Sequence, residues 1–109
     1  MSGQPRISRQ LGRLIAATYG RKGENKIDEA MAHVCRYIAD DSARQLIRRY
    51  LELDPWLNGT LRSTPESIDE STGLMASIEK HTCITGKALR DAADDAMDAW
   101  HAASAEAVK

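Results

Sequence analysis

Residues 25 to 53, NKIDEAMAHVCRYIADDSARQLIRRYLEL, decide how the rest of the chain is read. In helical spacing their apolar residues fall at Ile27, Met31, Val34 and Ile38, then at Leu46, Ile47, Tyr50, Leu51 and Leu53, mostly three or four positions apart. That spacing predicts one continuous apolar flank on which other elements pack. Asp40, Asp41 and Ser42 interrupt it, and Ser42 followed by Gln45 reads as a capping box, so a break or kink is expected there. Asp54-Pro55 ends the second half, because proline restricts the residue before it and lacks an N–H donor.

On the N-terminal side, residues 1 to 5 are expected to fray and a first helix to begin near Ile7 or Ser8. Ile7, Leu11, Leu14, Ile15 and Tyr19 share a face, with Arg6, Arg9, Gln10 and Arg13 opposite and Gly20 placed to end the helix. Gly12 lies inside it, where it either permits a close helix crossing or marks a weak point. After a short basic loop, Asn25 can cap the central helix.

On the C-terminal side, Trp56 and Leu57 suit an apolar plug folded back on the core, and Asn58-Gly59 suits a turn. Ser63-Thr64-Pro65-Glu66 is a helix start, with a hydroxyl cap, Pro at the first helical position and an acid in the first turn. Ile68, Leu74, Met75 and Ile78 supply its expected buried side. His81 to Ile84 read as a connector and Thr85 as the cap of a last helix, whose broad small-residue face holds Leu89, Ala92, Ala93, Ala96, Met97 and Trp100. The end of that helix, with 104 to 109 above all, is expected to fray.

Composition agrees with helices. The chain has 42% apolar and 28% charged residues, no Phe, two Trp and three Tyr. Burial must therefore come from aliphatic residues and Ala, which suits close helix packing and not the aromatic and β-branched alternation of a sheet. At 109 residues there is room for one core, so the expected fold is all-α, a single compact bundle-like domain of four to five helices over residues 1–109. No apolar run approaches the ~20 residues of a spanning helix. Residues 1 to 8 lack a secretory pattern, and two cysteines, Cys35 and Cys83, are too few for a disulfide framework. A cytoplasmic chain with two free thiols is expected, with no membrane contact.

The net charge of −1 conceals a split. Residues 1 to 50 hold ten Lys or Arg against five Asp or Glu, and residues 51 to 109 hold five against eleven. Such a split can place a basic surface on an anion, dock one copy on another, or let the two halves attract within one fold. Arg6, Arg9, Arg13, Arg21, Lys22, Arg44, Arg48 and Arg49 are the candidate nucleic-acid or anion contacts, since the planar guanidinium bonds two phosphate oxygens at once. The plain alternative is a solvated face paired to the acids of the other half.

Three further patterns bear on chemistry. Residues 78 to 90 resemble a helix-turn-helix, with Ile78, Ile84 and Leu89 at its apolar positions and Thr85 capping the second helix. Asp91, Asp94, Asp95 and Asp98 at that helix would oppose phosphate. The same aspartates lie on one stripe, and with Glu66, Asp69 and Glu70 they resemble the Mg²⁺-binding acidic pairs of MazG-type nucleoside triphosphate pyrophosphatases. Residues 94 to 98 also fit the DDxxD of isoprenoid synthases, a fold that needs a far longer chain. Finally, His33, Cys35, His81 and Cys83 make two His-x-Cys pairs, a zinc set on paper. Residues two apart on a helix point about 200° away from each other, which opposes a shared ion. No Gly-rich phosphate loop and no activated nucleophile are recognisable, so no enzyme, cofactor or metal is expected.

The leading expectation is thus a non-enzymatic regulatory or adaptor protein that binds a protein or nucleoprotein partner, with nucleic acid as a possible contact and a homo-oligomer as the expected state. The alternatives are a helix-turn-helix DNA-binding regulator and a Mg²⁺-dependent pyrophosphatase.

Overall fold

A computed structural model describes the backbone of residues 6–18, 26–60 and 62–108, with side chains over the same ranges except Trp56 and residues 104–108. The elements are α1 (Ile7–Thr18), α2 (Lys26–Tyr37), α3 (Asp41–Glu52), α4 (Pro55–Asn58), α5 (Pro65–Lys80) and α6 (Gly86–Val108). Five exceed one turn, α4 is a single turn, and no strand occurs among the described residues. The all-α bundle is as expected.

The central stretch forms two helices. α2 ends at Tyr37 and α3 starts at Asp41, with the cap on Asp40 in place of the expected Ser42. Asp40 Oδ2 accepts from the Ala43 N–H at 2.9 Å, and Gln45 Nε2 donates to Asp41 Oδ2 at 2.7 Å. A carboxylate is favoured at this position because it meets both an orphan N–H and the positive end of the helix. Leu53 closes α3, and Asp54 Oδ2 accepts from Leu57 N at 3.2 Å to start the turn after it. Gly59 has φ +82°, the left-handed conformation that glycine tolerates, and Asn58 Oδ1 accepts from Thr60 N–H.

Thr64 caps α5 with Pro65 at its start, and Thr64 and Ser67 exchange side-chain to backbone hydrogen bonds. Thr85 Oγ1 accepts from Ala88 N–H at the start of α6. The helix then runs to Val108, through the segment expected to fray.

Packing follows the apolar flank. Met31, Val34, Ile38, Ile47 and Leu51 are buried, together with Ala30 and Ala43. α6 lies against α1 and α2, while α3 lies against α2 and α5, so the α2–α3 pair touches both halves of the domain. Leu11 and Leu14 of α1 and Leu89, Ala92, Ala93 and Ala96 of α6 complete one shared core. Each fully buried Leu or Ile there contributes roughly 1.5–3 kcal/mol. The radius of gyration, 13.9 Å, is close to the ~13 Å expected of a single domain of this length.

Two expectations are corrected, and one of the two readings of Gly12 drops out. Gln10, expected on the solvent side of α1, is 5% exposed, its Oε1 accepting from Arg13 Nη1 at 2.8 Å. Gly12 makes no close crossing, since a Cβ there would meet nothing within 4 Å. In α5 only Ile78 is buried; Leu74 and Met75 are half-buried and Ile68 is 52% exposed. Tyr19, Gly20 and the Trp56 side chain lie outside the described residues.

Candidate functional site

The basic residues divide by what they touch. Arg13 pairs with Asp94 and so links α1 to α6. Arg44 turns back on the end of α2, where Nε donates to Ile38 O at 2.7 Å and Nη2 to Cys35 O at 3.1 Å, filling carbonyls that have no helical partner. Arg48 reaches Asp28 at 2.8 Å across the α2–α3 pair. Arg49 grips Glu70 with both arms of its fork, at 2.6 and 3.0 Å, and so joins α3 to α5.

The electrostatics agree. The Arg48 guanidinium is held charged to higher pH chiefly by its hydrogen bond to Asp28, and Arg49 by its bond to Glu70. Glu70 is lowered below the ordinary carboxylate range by the same bond. Arg6 and Arg9 are exposed at the start of α1 and have no side-chain partner among the described residues. Arg21 and Lys22 lie outside those residues. Of the six candidates among the described residues, four are engaged within the chain and two face solvent.

The α6 aspartates are divided in the same way. Asp94 belongs to Arg13, while Asp95 accepts from Arg36 at 2.9 and 3.2 Å and from His33 Nδ1 at 2.6 Å. Asp94 and Asp95 thus turn from α6 towards α1 and α2, whereas Glu70 of α5 is drawn to α3. Of the four residues that make a zinc set on paper, His33 meets Asp95 while His81 and Cys83 sit in the α5–α6 connector.

Those two connector residues have a neighbour that the sequence did not reveal. Asp40, His81 and Cys83 each place a potential ligand atom within 4.8 Å of the others. The objection to His-x-Cys on a helix does not hold here, since residues 81 to 85 are not helical. The signal available in the sequence was a His-x-Cys in a segment that reads as a connector; Asp40 was legible only as part of the helix break.

Residues 78 to 90, which resemble a helix-turn-helix in sequence, run from the end of one helix through a short connector into the next. α5 ends at Lys80, α6 starts at Gly86, and Ile78, Ile84 and Leu89 are buried as the pattern requires. Lys87 and Arg90 are both exposed beside the acids of α6, and Arg90 Nε lies 4.0 Å from Asp91.

An apolar feature missed by sequence reasoning lies along α5. A shallow groove of about 450 Å³ is lined by Ser42, Gln45, Leu46 and Arg49 of α3 and Leu74 of α5. Leu74 and Ile68 stand on the two margins of an apolar arc about 120° wide whose centre faces the core through Ile78. Among the described residues, no helix is long and apolar enough to cross a membrane. No protein-family model, no curated protein and no solved structure matches this chain.

Proposed function

We propose that this chain is a non-enzymatic helical adaptor that binds a protein partner along the exposed margins of the α5 apolar arc and the adjoining surface of α3. The observation that supports the reading is the burial of α5: sixteen residues hold one buried side chain, Ile78, while Ile68 is 52% exposed and Leu74 lines an open groove. Apolar side chains left in water beside a groove bury favourably against an incoming apolar helix face. Ser42, Gln45 and the Arg49–Glu70 pair give the groove a polar rim.

The homo-oligomeric state now rests on this face. The Ala-rich side of α6 is filled by α1 and α2 of the same molecule. Contact with an anionic or nucleoprotein partner rests on Arg6 and Arg9, the candidates that face solvent without a partner among the described residues.

The test compares proteins retained by the wild-type chain with those retained by Ile68→Glu/Leu74→Glu, with light scattering on both chains alone. A partner, or a second copy, held by the wild type and lost by an equally helical variant supports the proposal; identical retention contradicts it. A mobility assay across a salt series gives the other reading its chance. A salt-sensitive nucleic-acid complex that Arg6→Ala/Arg9→Ala abolishes, and that the α5 variant keeps, would move the binding surface to α1.

A further inference from the structure

We infer that Asp40, His81 and Cys83 form a binding site for one zinc-class divalent ion, which ties the α2–α3 loop to the α5–α6 connector. The three residues offer an oxygen, a nitrogen and a sulfur ligand from two chain segments brought together by folding, each pair of ligand atoms within 4.8 Å. His81 Nε2 stands 3.3 Å from Asp40 Oδ2. Two ligands of a tetrahedral ion with bonds near 2.0 Å lie about 3.3 Å apart, so this pair already has the spacing of one edge. A sulfur–nitrogen or sulfur–oxygen edge is about 3.5 Å. Cys83 is exposed on an irregular turn and has at most about 1.3 Å to close.

The ligand types choose the ion. Imidazole and thiolate favour zinc and its transition-metal neighbours over Mg²⁺ and Ca²⁺, which take oxygen. Three protein ligands leave the fourth position to water.

Proton balance sets the conditions. His81 Nδ1 accepts from Cys83 N–H at 3.2 Å, so the neutral ring carries its proton on Nε2, facing Asp40. An ion bound at Nε2 takes that proton's place; the ring proton is then on Nδ1, and the Cys83 N–H contact opens. The thiol also loses its proton on binding, so affinity rises with pH. Asp40 keeps its role at α3, because Oδ2 accepts from Ala43 N–H with one lone pair and has a second to offer the ion.

Cobalt(II) titrated into the reduced, metal-free chain tests the site. The expected result is a near-ultraviolet thiolate-to-cobalt band with visible bands of tetrahedral intensity, saturating at one ion per chain and displaced by zinc. Cys83→Ser removes the thiolate band, His81→Ala and Asp40→Asn each weaken binding at least tenfold, and Cys35→Ser leaves it unchanged. Asparagine retains the helix cap, so Asp40→Asn separates ligand loss from misfolding. No thiolate band in the wild type overturns the site, and so does a band that survives in both His81→Ala and Asp40→Asn or that depends on Cys35.

Discussion

Asp95 shows how one side chain holds two helices together. It is 23% exposed and takes hydrogen bonds from His33 and Arg36 of α2, so Asp95→Ala leaves both donors without their acceptor. The expected loss is about 1–2 kcal/mol, a fall in Tm of roughly 5–10 °C by calorimetry. Glu70→Gln should leave Tm unresolved from wild type, because the Arg49–Glu70 pair lies open to solvent. Tyr50 supplies a pH dependence of known sign. Burial, then the Asp54 charge, raises its phenol above the ordinary value, so its contribution is complete below pH ~10 and is lost as pH rises through the folded value. Denaturant titrations from pH 9 upward should show stability declining in the wild type and declining less in Tyr50→Phe. Which residues carry charge was legible in the sequence; which residues they meet was not. Arg48 and Asp28 are twenty positions apart and pair only because the chain reverses at residues 38 to 40.

Elements were more legible than contacts, because helix ends are decided by local chemistry. Ile7, the break near Asp40, Thr64-Pro65 and Thr85 were all visible, since caps and prolines act within four residues. The choice of Asp40 over Ser42 was not, as either side chain can cap. α5 is less buried than its spacing implies for a different reason: the apolar pattern is real, but the helices packed on it bury only Ile78. Two glycines test the helical account directly. A Cβ at Gly12 or at Gly73 would meet nothing within 4 Å, and both positions are exposed within helices. Gly12→Ala and Gly73→Ala should each stabilise by about 0.5–1 kcal/mol, adding in the double variant, as read from urea midpoints.

At the scale of the molecule, the charge split between the two halves is partly consumed inside the fold. Arg13–Asp94, Arg36–Asp95 and Arg49–Glu70 each join a basic residue of the first half to an acid of the second. The same topology gathers Asp40 with His81 and Cys83 and leaves the α5 side open, and both arrangements depend on α2 and α3 serving one core. Unfolding of Ile47→Ala, tracked at once by helical circular dichroism and by fluorescence of Trp56 and Trp100, tests that dependence most directly. Ile47 is fully buried in α3, whereas Trp100 reports from α6. The account predicts a loss of about 2–5 kcal/mol with both signals moving in a single coincident transition, as in the wild type. A tryptophan transition that keeps its wild-type midpoint while the helical signal shifts would contradict a shared core.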